Sequence, residues 1–212
     1  MRAFAALTTT ALAAAAALLL SACGSDVKPS DIIKGAQAAA PPSPSPSVAD
    51  AARRPKITLP ADVHDVFEDT STGDPVKDAI WHDTAQLVMA HDEAIAEGNP
   101  RLPALLYYLA GLLAQPAYSR SVEGYVTDGL TVTGTDRYYA PHITVNSDTA
   151  SLNYCSDESK AFGKVRKTGK VLTTPVSINS YVLHIAQLKR NPAGVWQTTY
   201  ADTKRGASQC EQ

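Results

Sequence analysis

The sequence has few cysteines and lacks the short signatures of common catalytic sites. Cysteine occurs only at positions 23, 155 and 210, and no C-x-x-C pair is present, so neither a dithiol redox site nor a zinc site is expected. No G-x-S-x-G, P-loop or G-x-G-x-x-G pattern occurs either, and we therefore expect no bound cofactor or metal. After Leu20 the longest apolar run is Leu102–Leu113, well short of the ~20 residues that a spanning helix needs.

Basic residues are scarce in one part of the folded region, and acidic residues are scarce in another. Residues 62–97 contain ten acidic residues and one basic residue, Lys77, whereas residues 160–205 contain nine basic residues and one acidic residue, Asp202. This asymmetry fits a dipolar domain whose basic side faces an anionic envelope surface. It also fits a solvated helix face and a solvated hairpin tip, which Gly163 and Gly169 favour because they interrupt the lysines. A nucleic-acid partner is not expected at a net charge of −2.

The N-terminus carries the most specific pattern. Arg2 and the apolar run Ala11–Leu20 have the form of a secretory signal, and Leu20-Ser21-Ala22-Cys23 resembles the lipobox of bacterial lipoproteins. The resemblance implies a signal peptide over residues 1–22 and acylation of Cys23, for example by palmitate. The mature protein would then be anchored at the extracytoplasmic face of the bacterial cell membrane. An ordinary signal peptide is the alternative. Its cleavage site prefers a small residue at the −3 position, where this chain has the larger Leu20.

Two regions are expected after the signal peptide. Residues 23–58 are rich in Ala, Pro and Ser, which predicts a lipid-anchored, disordered tether. Residues 59–212 are expected to form one folded domain. In an exported protein Cys155 and Cys210 form a natural disulfide pair; two unpaired buried thiols are the alternative.

Helices are predicted in the first half of the domain. Asp74-Pro75 has the form of an N-cap followed by proline at the first helical position, and Gly98 and Pro100 end the same helix. A second helix is predicted from Leu102 to about Ala114, and a third, shorter one after Pro116. The second helix is expected to present a core face formed by Leu105, Leu109, Leu112 and Leu113.

Strands are predicted from Gly129 onwards, where apolar residues begin to alternate. The prediction comprises a short strand ended by Gly134 and a hairpin about Asn146-Ser147-Asp148. A longest strand, Val176–Arg190, and a last strand, Val195–Ala201, follow. Helices followed by a strand meander indicate an α+β domain.

Four short motifs occur in a characteristic order before Cys210. They are Asp74-Pro75, Gly129-Leu130-Thr131-Val132-Thr133-Gly134, Tyr154-Cys155-Ser156-Asp157 and Gly194-Val195-Trp196. In this order the domain resembles actinobacterial lipoprotein domains of the NTF2-like superfamily. The resemblance implies a cone in which N-terminal helices pack on a curved antiparallel sheet around a pocket, and it implies a Cys155–Cys210 disulfide.

Enzymes of that superfamily use an Asp or His as general base, and this implies a candidate site. His184 is the candidate base because it lies in the middle of a predicted strand, and Tyr154 and Tyr181 are candidate hydroxyl donors in the pocket. A packed histidine with one hydrogen bond is the alternative for His184. Asp157 and Asp202 fall at predicted strand ends, so the carboxylate base is expected to be missing.

His82 and His91 are nine residues apart rather than four, so they do not predict a metal pair. His91 and Asp92 are adjacent and are expected to point in different directions.

The sequence favours a non-catalytic binding or assembly module of the cell envelope, which binds a protein partner or a small apolar ligand. The alternative is an isomerase- or hydratase-like enzyme acting on a small hydrophobic substrate. An enzyme is expected to bring at least two titratable groups together in an open cone, whereas a binding module is expected to have an apolar, closed or collapsed interior.

Overall fold

The computed structural model of the chain describes residues 54–211. The predicted signal peptide, Cys23 and nearly all of the predicted tether lie outside the described residues. Within residues 54–211 no helix combines the length and the hydropathy needed to cross a bilayer.

Helix α1, Pro75–Glu97, has the ends that the sequence predicts. The Asp74 carboxylate accepts hydrogen bonds from the backbone N–H groups of Val76, at 2.8 Å, and Lys77. Gly98 ends the helix in the left-handed conformation, with φ of +68°. Arg166 donates hydrogen bonds to the carbonyls of Ile95 and Ala96, so a cation lies at the negative end of the helix dipole.

The prediction of one continuous helix from Leu102 to about Ala114 is wrong. The chain forms two helices in this region, α2 (Pro103–Tyr107) and α3 (Gly111–Thr127). Between them Leu109 forms a parallel bridge with Thr198, and Gly111 has a φ of +77°. Helix α3 begins before Pro116 and continues through it. Because of this break Leu112 is 92% exposed and Leu113 is 63% exposed, so these two leucines are not part of the core.

The strands form one mixed sheet in the order β1-β2-β3-β5-β6, with β4 on β3. All neighbouring strands are antiparallel except β1 and β2, which are parallel. The strands are β1 (Val63–Phe67), β2 (Leu130–Asn146), β3 (Thr149–Val165), β4 (Val171–Leu172), β5 (Tyr181–Arg190) and β6 (Trp196–Arg205). Register shifts within β2, between Thr135 and Arg137 and between Tyr139 and His142, bend the sheet. The α+β class and the curved, mostly antiparallel sheet are confirmed.

Three strand predictions need correction. Strand β1 precedes the helices and was not predicted. Strand β2 passes through Gly134, whose φ of +104° and close approach to the Lys160 carbonyl leave no room for a side chain. Strand β5 begins only at Tyr181, because Ile178–Ser180 form a 3-10 turn, so the 17-residue strands β2 and β3 are the longest.

The core lies between the helices and the sheet, and Trp81 and Trp196 are both buried in it. Asp83 joins the layers there: its buried carboxylate accepts hydrogen bonds from the Trp196 backbone N–H, at 2.8 Å, and from Arg54. On the opposite face of β3, Cys155 is disulfide-bonded to Cys210, with 5.4 Å between the Cα atoms. The predicted disulfide is therefore present.

Candidate active site

A cavity of about 540 Å³ lies between helices α1 and α3 and the concave face of the sheet. Both helices and every strand except β4 contribute to its lining among the described residues. Its wall is apolar in part, with Val63, Val88, Ile95, Val132 and Phe162. The space between the helices and the sheet is therefore open rather than collapsed.

Three carboxyl groups meet inside this cavity. Asp65 on β1 and Asp136 on β2 are direct partners in the parallel register, so their side chains lie on the same face of the sheet. Asp92 on α1 faces them, and its carboxyl is within hydrogen-bonding reach of the Asp65 carboxyl. Two strands and one helix thus bring like-charged groups together.

Burial and mutual repulsion keep protons on this cluster. Burial raises the pKa of Asp65 to about 6. Burial, together with the charges of Glu158 and Asp65, raises the pKa of Asp136 to about 8. Burial and the neighbouring carboxylates raise the pKa of Asp92 well above its ordinary value. At neutral pH the cluster therefore carries fewer than three negative charges.

The prediction that no acidic residue lies in the middle of a strand of the sheet is wrong. Asp65 and Asp136 both lie in the middle of strands, and both were missed because β1 was not recognised and β2 was expected to end at Gly134. Asp157 and Asp202 also lie within β3 and β6 rather than at their ends.

His91 and Asp92 do not point away from each other. Both line the cavity, and 3.9 Å separates the His91 Nδ1 from the Asp92 Oδ1. His91 Nε2 also lies 3.1 Å from the Ser121 hydroxyl. Burial lowers the pKa of His91 to about 4, so this ring is neutral at neutral pH.

Two of the three predicted pocket residues, Tyr154 and His184, line the cavity. Their rings are stacked, with centroids 4.5 Å apart and planes inclined by 5°. His184 Nε2 lies 2.8 Å from the Ser156 hydroxyl. Burial, and to a smaller degree the charge of Arg205, lowers the pKa of His184 to about 4. At neutral pH His184 is thus a neutral, packed ring with one hydrogen bond. This arrangement is the one expected if His184 is not a catalytic base.

Tyr181 lies on the other face of β5, where it packs with Leu183 against the cluster that contains the disulfide. The alternation of side chains along a strand accounts for this placement, since residues 181 and 184 differ by an odd number of positions. Tyr181 is not among the described residues that line the cavity.

Other tyrosines take the place of Tyr181 in the wall. Tyr138 and Tyr118 line the cavity together with Tyr154. Burial raises the pKa of Tyr118 to about 12 and the pKa values of Tyr138 and Tyr154 well above the ordinary value. Their hydroxyls stay protonated at neutral pH and can donate hydrogen bonds to an oxygen of a bound ligand.

An ion pair belongs to the lining on the β3 and β6 side. Arg205 Nη1 lies 2.6 Å from Glu158 Oε2 and donates a hydrogen bond to the Asn179 carbonyl, at 2.8 Å. Both charged side chains line the cavity. Arg205 thus forms its ion pair with Glu158, and its charge also acts on Asp136 from a greater distance, where it favours the ionised carboxylate.

The described residues contain no group of three or more His, Cys, Asp or Glu side chains placed to hold a metal ion. His82 is exposed on α1, whereas His91 faces the cavity, so the two histidines do not converge.

Comparisons with known proteins find similarity in structure only. No model of a known protein family matches the sequence, and a search of curated proteins finds no significant match. A ketosteroid isomerase-like protein from Erwinia carotovora atroseptica is 16% identical, with a TM-score of 0.42 over 60% of this chain and 93% of its own. An NTF2-like protein from Cytophaga hutchinsonii is 12% identical, with a TM-score of 0.40 over 61% of this chain and 97% of its own.

A third solved structure, a suggested dehydratase of the NTF2-like family from Streptomyces avermitilis, is 13% identical. Its TM-score is 0.39 over 62% of this chain and 98% of its own. Similarity at this level does not establish an activity for this chain.

Proposed function

We propose that this chain is an extracytoplasmic, lipid-anchored enzyme that moves a proton on a small organic substrate held in the cavity. The observation that carries the proposal is the meeting of Asp65, Asp92 and Asp136 inside an open cavity with apolar and aromatic walls. Buried groups with shifted pKa values in a cleft are typical of acid–base catalysis. The carboxyl cluster thus favours an isomerase- or hydratase-like enzyme over a non-catalytic module.

Asp65 and Asp92 have the properties of a general base and a general acid that work as a pair. Two carboxyls within hydrogen-bonding reach do not ionise together, so one holds a proton while the other can accept one. Asp65 is assigned as the base because its pKa of about 6 lies near neutral pH. His184 is a weaker candidate base, since its pKa of about 4 leaves it with little tendency to take up a proton.

The tyrosines complete the proposed chemistry. Removing a proton next to a carbonyl places negative charge on the carbonyl oxygen, and a nearby hydroxyl donor stabilises that charge. Tyr138 and Tyr154 remain protonated and line the same cavity as Asp65. They are assigned as hydrogen-bond donors to this oxygen.

Proton exchange tests the proposal without knowledge of the natural substrate. The purified domain is incubated in D₂O with a panel of small ketones and aldehydes, some of which carry an amino group, and NMR follows deuterium uptake beside the carbonyl. We expect exchange above the buffer rate, with Asp65→Asn lowering it by about 10²-fold or more. Asp128→Asn is the matched control, because Asp128 is exposed at the end of α3 and lies outside the cavity lining.

Two results would count against the proposal. One is exchange no faster than in buffer across the whole panel. The other is equal exchange by the wild type and by Asp65→Asn, which would mean that another group supplies the base.

A non-catalytic envelope module that holds a protein partner is the second candidate. The exposed side chains of Leu112 and Leu113 at the start of α3 favour it, since apolar side chains that remain in water are often contact points. Crosslinking followed by purification from membranes tests this candidate. A partner recovered with the wild type and lost with Leu112→Ser would support it, and equal recovery would exclude a role for this leucine.

A further inference from the structure

In the part of the chain that the structure describes, no Arg or Lys forms an ion pair with Asp65, Asp92 or Asp136. Among the described residues that line the cavity, the only Arg or Lys is Arg205, and it is paired with Glu158. The charges that act on Asp92 all come from other carboxylates. A buried group of like charges is unfavourable unless a positive charge or protons offset it.

Two oxygen atoms of the cluster are left without a hydrogen-bond donor, although Tyr138 lies within hydrogen-bonding reach of the Asp136 carboxyl. Asp65 Oδ2 and Asp136 Oδ1 are buried atoms without a hydrogen-bond partner. Leaving a buried acceptor unpaired is unfavourable, because the atom has lost its hydrogen bonds to water without gaining others. A ligand that brought N–H donors between these two strands would satisfy both oxygens at once.

The surrounding wall is aromatic as well as acidic. Tyr118, Tyr125, Tyr138, Tyr154 and Phe162 line the same cavity. Aromatic faces carry partial negative charge and attract ammonium groups. Their rings and the aliphatic side chains of the wall also provide apolar surface for the rest of a small molecule.

We propose that the ligand of this cavity is an ammonium compound with a small apolar body, and that its nitrogen lies among Asp65, Asp92 and Asp136. The inference deepens the proposed function and rests on its assignment of the cavity as the substrate site. It names the substrate class as amines, and it assigns Asp136 to binding the cationic nitrogen. An ammonium group supplies three donors and one positive charge, which match the two unpartnered carboxyl oxygens and the like charges of the cluster.

Binding of such a cation is coupled to proton release. The groups that act on Asp136 are Asp65 on β1, Tyr138 on β2, Glu158 on β3 and Arg205 on β6. The rings of His91 and His184, which line the same cavity, are neutral at neutral pH. Without a ligand, Asp136 keeps its proton up to a pKa of about 8. The ammonium complex needs the ionised form, so its affinity rises as the pH approaches 8, by at most about tenfold per pH unit for each proton released.

Calorimetry with a matched pair of probes tests the inference. The probes are 2-phenylethylammonium and the uncharged 2-phenylethanol, which differ in the terminal group. We expect the ammonium probe to bind at least about tenfold more tightly than the alcohol, as expected of an ion pair shielded from water. We also expect its affinity to increase from pH 6 to pH 8, with protons released to the buffer.

Variants locate the binding charge. Asp136→Asn is expected to weaken binding of the ammonium probe by about tenfold or more and to leave binding of the alcohol nearly unchanged. Asp128→Asn is expected to change neither. Should Asp136→Asn fail to fold, the pH dependence and the proton release of the wild-type protein test the same inference without a variant.

The outcomes separate this inference from the proposed function. Equal binding of the two probes, or an ammonium affinity that does not change with pH, would overturn the amine assignment even if neutral ketones exchange deuterium. Tight, pH-dependent ammonium binding without any deuterium exchange would support the amine assignment and count against catalysis. Failure of both probes to bind, together with no exchange, would overturn both.

Discussion

Single residues in the cavity make the folding stability depend on pH. The pKa of Asp136 is about 8 in the folded protein, against an ordinary value of 3.8. Between these values the folded state holds a proton that the unfolded state has lost, so stability falls as the pH rises to about 8. His91 and His184 have lowered pKa values of about 4 and act in the opposite sense, but only below about pH 6.5.

The Asp136→Asn variant is expected to lose part of this dependence. Between about pH 6.5 and about pH 8 the wild type should lose stability by an amount of the order of 1 kcal/mol more than the variant, since the neutral amide does not titrate. Urea unfolding at the two pH values measures the difference. Asp128→Asn serves as the control, and its stability should change with pH as that of the wild type does. The same change in stability between the two pH values for all three proteins would contradict the raised pKa of Asp136.

Gly134 is the residue at which a side chain would be least tolerated in the sheet. Its φ of +104° is unfavourable for other residues, and an added Cβ would overlap the Lys160 carbonyl oxygen. We expect Gly134→Ala to lower the free energy of unfolding by about 2 kcal/mol or more. Gly124→Ala in α3 is the matched control, because nothing lies near its Cβ position, and it should be neutral or stabilising by up to about 1 kcal/mol. Similar stabilities of the two variants would refute this account.

Only some of the residues that line the cavity could be predicted from the sequence. Tyr154 and His184 were predicted to line the pocket because alternation along each of their two strands places them on the inner face. Asp65 and Asp136 were not, because their meeting depends on a parallel pairing between strands that are far apart in the chain. A short edge strand carries no local signal for its partner.

Among the elements, the disulfide is the covalent link between strand β3 and the C-terminal 3-10 turn. Both cysteines are buried, and 55 residues separate them. We expect Cys155→Ser combined with Cys210→Ser to lower the free energy of unfolding by about 2–4 kcal/mol, mainly because the unfolded chain gains freedom.

Urea unfolding and non-reducing mass spectrometry check this prediction. The wild-type protein should show the two cysteines linked, and full reduction should bring its stability close to that of the double variant. Unchanged stability after reduction would show that the link does not contribute to the fold.

The helices differ in how far the sequence predicted them. The ends of α1 were correct because Asp74, Pro75 and Gly98 lie at the helix ends themselves. The junction of α2 and α3 was missed because the chain there follows a distant partner: Leu109 leaves the helical path to pair with Thr198. Tertiary contacts overrode a continuous apolar pattern.

At the scale of the whole molecule, the proposal places the domain on a membrane through Cys23. We expect Cys23→Ala to move the protein from the membrane fraction to the soluble fraction, because the acyl chains would have no attachment site. Fractionation followed by immunoblotting measures the shift, with Cys155→Ser combined with Cys210→Ser as the control that keeps the anchor. Retention of Cys23→Ala in membranes would exclude this anchor.

The same disulfide determines how proteolysis of the domain would be observed. The segment from Lys167 to Asn179 is exposed along its whole length and offers Lys167 and Lys170 to trypsin. Both lysines lie between Cys155 and Cys210, so a cut after either one releases no fragment. The nicked chain would migrate close to the intact chain on a gel until a reducing agent separates the two pieces.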